Sequence, residues 1–336
     1  MTLDHRILKL SKLGDRISDL SATEKQQLAE MAMLENPWFT PDNVLQALHG
    51  ITHLLQRETL LRWSNQYDFS QVTPKVIGLV LAGNIPLVGF HDLLCVLVSG
   101  HTAKVKLSSK DTNTMKWLIS ELTTLEPTFQ NQIQIETGTL QGSDAFIATG
   151  SDNTARHFEY YFRKFPHIIR KNRTSCAIVS GNETPQDLKN LGMDVFSYFG
   201  LGCRNVSKVF IPAGYNPCEL FEHWSGYSKL IDHHKYANNY DYQKAILLVN
   251  QQAFFDSGWI LLQESDRLVS PISVLYYEYY QDASKLQQRI ASIRDKLQCI
   301  VGNLDPAKVP FGKAQYPDVW DYADGVDTLN FLTLLR

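Results

Sequence analysis

The chain has 336 residues, 44% hydrophobic and 20% charged, with a formal net charge of −3. That composition suits an ordinary soluble globular protein of about two domains, able to bury a core without staples. It lacks the basic footprint of a nucleic-acid binder, and its five cysteines form no CxxC pair, so no disulfide framework or zinc site follows.

Residues 4–65 read as helices. Ile7, Leu10, Leu13, Ile17 and Leu20 recur at steps of three and four and make one apolar stripe. The opening stretch "MTLDHRILKLSKLGDRISDL" has no apolar core of the signal-peptide kind. Ser21 with Glu24 has capping-box spacing, and Thr40-Pro41 reads as an N-cap followed by proline at the first helical position. At "PKVIGLVLAG" the pattern becomes a continuous β-branched and aliphatic run, as in a strand buried on both faces of a parallel sheet.

From there strands and helices alternate. "NIPLVGFHDLLCVLVSG" reads as a helix, "TAKVKLS" as a strand, "TMKWLISELTTLEP" as a helix, and "QIQIETG" and "SDAFIATGS" as strands. Such alternation means βαβ units and a parallel sheet. A second α/β unit follows, with "SCAIVSG" and "VSKVFIP" as strands flanking the helix "ETPQDLKNLGMDVFSYFG". "YQKAILLVNQQAFFDSGWILLQES" reads as strand, turn and strand, "SPISVLYYEYY" as a strand, and "DASKLQQRIASIRDKLQCIVG" as a helix into a strand. The tail "GVDTLNFLTLL" alternates like an edge strand. No run approaches the ~18 apolar residues of a membrane span. A soluble chain in a reducing cytoplasm is the expectation.

Four stretches carry candidate chemistry. Asn84 in "LAGNIP" stands at a strand's C-terminal end, where open α/β sheets bind ligands and where an amide can donate to an oxyanion. The plain alternative is an asparagine capping the next helix. Lys106, with Ser108, Ser109 and Lys110 after it, suits a ribose or phosphate, or else a solvated loop. Thr149-Gly150-Ser151 precedes a helix whose N-terminus would favour a pyrophosphate, although Ser151 also reads as a simple N-cap. Cys203 in "YFGLGCRNVSKVFIP" is framed by glycines and precedes an apolar strand. It is either a small core residue or a thiol exposed on a turn. Cys95 and Cys176 lie inside apolar runs, and Cys218 and Cys299 have no glycine frame.

In this order the four stretches resemble the aldehyde dehydrogenase superfamily over roughly residues 75–336. "NIPLVGFHDLLCVLVSGHTAKVKLS" is similar to that family's Asn-x-Pro helix and lysine-bearing nucleotide strand. "ATGS" is similar to its phosphate turn, "GCRNVSKVFIP" to its nucleophile turn, and "VPFG" at 309–312 to the segment before its C-terminal tail. "ENPWFTPDNVLQAL" and "DYADGVDTLNFL" narrow the resemblance to the LuxC-like acyl-CoA reductases of bacterial bioluminescence systems.

The resemblance implies an aldehyde dehydrogenase-like α/β fold. It would have an N-terminal helical segment (1–70), a Rossmann-like nucleotide domain (71–170), a catalytic domain (171–305) and a tail (306–336) that returns to the core or pairs between subunits. It also implies Cys203 as nucleophile, Asn84 as oxyanion donor, Lys106 with Ser108 and Ser109 near the adenosine ribose, and Thr149, Gly150 and Ser151 as the phosphate turn. The family's nicotinamide-ribose glutamate falls on Asp266 or Arg267, with Glu264 a nearby candidate.

Two departures sharpen the expectation. The stretch "IIRKNRTSCAIV" has no carboxylate where hydrolytic relatives keep their glutamate base, so a Cys203 acyl-enzyme should await hydride rather than water. Ser109 replaces an acidic residue, which removes repulsion toward a 2′-phosphate and makes NADPH the expected cofactor, with NAD possible. The expected activity is reduction of a long-chain acyl-CoA or acyl-protein thioester to the aldehyde, without a metal, by a homo-oligomer. The alternatives are a reductase of short-chain acyl-CoA or acyl-phosphate, and a non-catalytic partner subunit. Arg204 is placed to assist the thiol or to face solvent, and His233 and His234 read as surface residues.

Overall fold

Helix starts are set by side chains that satisfy free backbone N–H groups. Thr2 accepts from His5 N, Ser21 and Glu24 close a capping box, and Thr40 accepts from Asn43 N with Pro41 at the first position. In the computed structural model, which describes residues 1–335, these open α1 (Leu3–Ser18), α2 (Ala22–Glu35) and α3 (Pro41–Leu54), followed by α4 (Arg57–Ser64). The stripe Ile7, Leu10, Leu13, Ile17 and Leu20 is buried.

The chain divides into two compact units, one of residues 1–172 with 317–336 and one of residues 173–316. In the first, β1 (Val76–Val80), α5 (Phe90–Ser99), β2 (Thr102–Lys106), α6 (Thr112–Leu125), β3 (Ile133–Ile135), β4 (Ala145–Thr149), α7 (Asp152–Phe162) and β5 (His167–Arg170) follow in order. Among the described residues five parallel strands make one sheet, in the order β3-β2-β1-β4-β5. The strand order reverses between β1 and β4, which marks the switch point at which doubly wound sheets bind ligands. Helices α1 to α4 share one apolar core with α5, α6 and the sheet.

The second unit runs β6 (Thr174–Ile178), α8 (Pro185–Phe196), β7 (Val206–Pro212), α9 (Glu219–Trp224), α10 (His234–Val249), β8 (Phe255–Asp256), β9 (Leu261–Glu264), β10 (Val274–Tyr280), α11 (Ala283–Ile293) and β11 (Leu297–Val301). Its sheet has the order β11-β6-β7-β10-β9-β8, parallel except for the β8–β9 pair.

Two expectations are corrected. The run "AILLV", read as a strand, ends the helix α10. The helix buries Tyr236, Tyr240 and Leu247 on one face and leaves Leu248 and Val249 exposed, so the aliphatic run does not mark a core strand. The tail, read as an edge strand, forms α12 (Thr328–Thr333), capped by Asp327 and burying Leu329 and Leu332 three residues apart.

The tail is tied to the first unit by polar contacts. Trp63 Nε1 donates to Tyr322 Oη at 2.7 Å, and Tyr67 Oη donates to Asp327 at 2.9 Å. His101 Nδ1 accepts from Lys75 N and its Nε2 donates to the Leu332 carbonyl.

Candidate active site

In the first unit the candidate residues collect at the carboxyl ends of the parallel strands. Val80 pairs with both Lys106 and Ala148, so the segments after β1, β2 and β4 leave one sheet edge side by side. Asn84 is exposed in the loop after β1. The preceding Gly83 is required by close packing, since a Cβ there would stand 2.5 Å from Ser108 Cβ and Oγ. Lys106 and Ser109 are exposed at the end of β2, and Lys106 Nζ donates to the Gly138 carbonyl at 3.2 Å. Glu136 at the end of β3 lies 3.9 Å from Lys104.

Thr149 closes β4, and Ser151 caps α7 by accepting from Thr154 N at 3.4 Å. A Cβ on Gly150 would meet Thr154 and Phe158 at 3.0–3.1 Å, so helix packing alone accounts for this glycine. The structure thus realises the N-cap reading of Ser151.

Sequence reasoning missed Asp111, which holds the Asn84 loop. Its Oδ2 accepts from Leu87 N at 2.8 Å, and Leu87 has a left-handed φ of 58°. Burial pushes the Asp111 carboxyl up to about 8, opposed by the Leu87 N–H and reinforced by Glu35. A raised acid favours folding in its protonated form. Its stabilising effect is complete below about pH 4, where an unfolded aspartate is also protonated, and is lost as pH rises toward 8. Asp111→Asn should therefore gain stability relative to wild type as pH rises through this window, by up to about 1.4 kcal/mol per pH unit. Urea midpoints at pH 5 and 8 check this. Parallel pH profiles for the two proteins would refute it.

In the second unit Cys203 is half-buried in the turn before β7, at the amino end of that strand. Its carbonyl accepts from Ser175 Oγ on β6 at 3.0 Å. Arg204 does not face solvent freely, because its Nε donates to the Ala314 carbonyl at 2.6 Å. Asp194 grips the same loop, accepting from Gly312 N at 2.6 Å and Ala314 N at 2.9 Å. Cys95 and Cys176 are packed core thiols, and burial pushes Cys176 up to about 12. His233 is not a simple surface residue, since its ring lies 4.6 Å from that of Phe199.

Glu264 is not brought beside Cys203. The registers place it level with Tyr277 and Val209, two strands across from β7. It is thus three residues, about 10 Å, beyond the start of β7. There it lines a groove of about 760 Å³ with Gln243, Gln252, Asp266 and Tyr276.

The segment Leu268–Ser273 returns toward the amino end of β7, where the Leu268 carbonyl accepts from Ser207 Oγ at 2.8 Å. Arg267 and Ser265 are held by their carbonyls to Lys208 Nζ, which also pairs with Glu278. Lys208 is fully buried, and a lone lysine inside an apolar strand was the signal for it.

Among the described residues no group of three His, Cys, Asp or Glu side chains could hold a metal, and no helix is long and apolar enough to cross a membrane.

A family model for acyl-CoA reductase (LuxC) matches residues 10–223. No curated protein matches the sequence. Solved structures similar to this chain include an NAD-dependent aldehyde dehydrogenase from Sinorhizobium meliloti, 12% identical, with TM-score 0.68 over 91% of this chain and 72% of that one. Betaine aldehyde dehydrogenase from Staphylococcus aureus is 11% identical, with TM-score 0.65 over 94% and 73%. Aldehyde dehydrogenase C from Pseudomonas syringae, complexed with NAD+ and octanal as its C291A mutant, is 12% identical, with TM-score 0.65 over 91% and 73%.

Proposed function

This chain belongs to the acyl-CoA reductase (LuxC) family, so acyl reduction is its class of reaction, and from that premise we propose that it reduces a long-chain fatty acyl thioester to the aldehyde with NADPH through Cys203. The observation that carries the reading is a half-buried cysteine on a turn whose carbonyl is fixed from the neighbouring strand, on a fold shared with aldehyde dehydrogenases.

The first unit offers residues that fit a dinucleotide. Its strand order reverses beside the Asn84 loop, Lys106 and Ser109 are exposed at the same edge, and Ser109 brings no carboxylate to the 2′ position. These two would hold the adenosine ribose, with Ser108 beside them and the 149–151 turn toward the phosphates. Bound there, NADPH supplies the hydride. Glu264, set away from Cys203 by its register, is given no part in holding the nicotinamide ribose.

Cys203 Sγ attacks the thioester carbonyl as thiolate, and the coenzyme A or carrier thiolate leaves, giving a cysteine acyl-enzyme. By resemblance, Asn84 and the Cys203 N–H are each assigned to the oxyanion, donors of a kind worth about 3 kcal/mol each. No carboxylate in residues 168–179 is available to activate water, so the acyl group persists until reduced. The resulting thiohemiacetal releases the aldehyde and restores the Cys203 thiolate.

The test is oxidation of NADPH, followed by absorbance, with tetradecanoyl-CoA and acetyl-CoA in parallel and NADH as the comparison cofactor. Turnover on tetradecanoyl-CoA with NADPH is expected. Turnover on acetyl-CoA alone would replace the proposal with a short-chain reductase. No turnover together with no nucleotide binding would point to a non-catalytic subunit.

A further inference from the structure

The chain before Cys203 takes an uncommon path. Tyr198, Phe199 and Gly200 have φ of 52°, 56° and 78°, so two bulky aromatic residues in succession sit in the left-handed region. Such backbone persists only where its surroundings over-determine it. The group that does so is Asn205, 2% exposed. Its Nδ2 donates to the carbonyls of Ser197 at 2.8 Å, Asp194 at 3.2 Å and Val195 at 3.3 Å, which closes the end of α8. Its Oδ1 accepts from Gly202 N at 2.7 Å. Its own N–H donates to the Gly202 carbonyl at 3.0 Å, and its carbonyl accepts from Ser175 N at 3.3 Å.

The Gly202–Cys203 peptide is planar, so its N–H points opposite to its carbonyl. The Asn205 backbone N–H on the Gly202 carbonyl therefore aims the Cys203 N–H away from Asn205, and the Asn205 side chain holds that arrangement by tying the preceding peptide, through Gly202 N, to the end of α8. Ser175 Oγ fixes the peptide on the other side of Cys203. A side chain needs both an acceptor and a donor to join Gly202 N to the α8 carbonyls, and an amide of this length carries both.

We propose that Asn205 is a positioning residue that aims the Cys203 backbone N–H at the oxyanion formed during acyl transfer, with Ser175 holding the following peptide. This rests on the reading of Cys203 as nucleophile, and the experiment separates the two.

Two rates are compared in the full-length protein: single-turnover acylation of Cys203 by tetradecanoyl-CoA, read by mass, and alkylation of Cys203 by iodoacetamide. Both consume the thiolate, but alkylation is a displacement at saturated carbon and develops no oxyanion. In Asn205→Ala the acylation rate is expected to fall about 100-fold, the effect of losing one oxyanion donor, while alkylation changes less than about threefold. Ser175→Ala, a smaller change, is expected to move the same ratio in the same direction by about tenfold or less, and it keeps the test decisive if Asn205→Ala does not fold. Acylation and alkylation falling together, or neither falling, would overturn the positioning role. A wild-type protein that is alkylated at Cys203 but never acylated there would instead overturn the nucleophile reading.

Discussion

Replacing Cys203 by alanine is expected to lower acyl-CoA reduction by 10⁴-fold or more, the scale on which a covalent catalyst fails when its nucleophile is removed (on the order of 10⁶ for a serine hydrolase). The acyl-enzyme should vanish with it. Wild type incubated with tetradecanoyl-CoA gains the mass of one acyl group, and Cys203→Ala gains none. NADPH affinity should be unchanged, because the residues assigned to the adenosine ribose and phosphates lie in the first unit and no nucleotide contact is assigned to Cys203. Cys203→Ser should retain a trace of acylation, since its hydroxyl is a far weaker nucleophile without a paired base. Reduction by Cys203→Ala at more than a few per cent of the wild-type rate would exclude the covalent route.

The second large effect concerns stability. Arg170, at the end of β5, is 3% exposed and pairs with the buried Asp92 of α5, while its Nη2 donates to Thr328 Oγ1 at 2.6 Å. One guanidinium thus joins the last strand of the first sheet, a helix under that sheet and the returning tail. Arg170→Met leaves the Asp92 carboxylate buried without its partner and should cost about 3–5 kcal/mol. The double variant Arg170→Met with Asp92→Leu removes both charges and should recover most of the loss, because buried pairs exchanged for apolar groups are often neutral. Urea unfolding measures both, and hydrogen exchange over residues 328–335 reports release of α12. A loss below about 1 kcal/mol for Arg170→Met would show that the pair does not hold the tail.

Much of this architecture can be read along the chain because its signals are local. The capping box at Ser21 and Glu24, the Thr40-Pro41 start and the alternation of strands and helices from Val76 onward each need only a few neighbouring residues. The order Asn84, Lys106, Gly150-Ser151, Cys203 led to the family by the same kind of reading. The misreadings arose where a local pattern was ambiguous. "AILLV" has the composition of a core strand, and only the burial of Tyr236, Tyr240 and Leu247 on one helical face makes it the end of α10. The tail's leucines fit an alternating strand until Asp327 is seen to cap a helix with Leu329 and Leu332 on its buried side.

By itself, then, the sequence determined the class of fold, the family and which cysteine stands on a turn, because periodicity, caps and short motifs are properties of contiguous residues. The tertiary structure decided what surrounds those residues. Arg170 meets Thr328 across 158 positions, Ser175 meets Cys203 across 28, and Asp194 meets Gly312 across 118. Such contacts depend on which strands pair and in what register. Asn205 looks like any turn asparagine in "GCRNVSK", yet folding brings the end of α8 and the Gly202 peptide to the two poles of its amide.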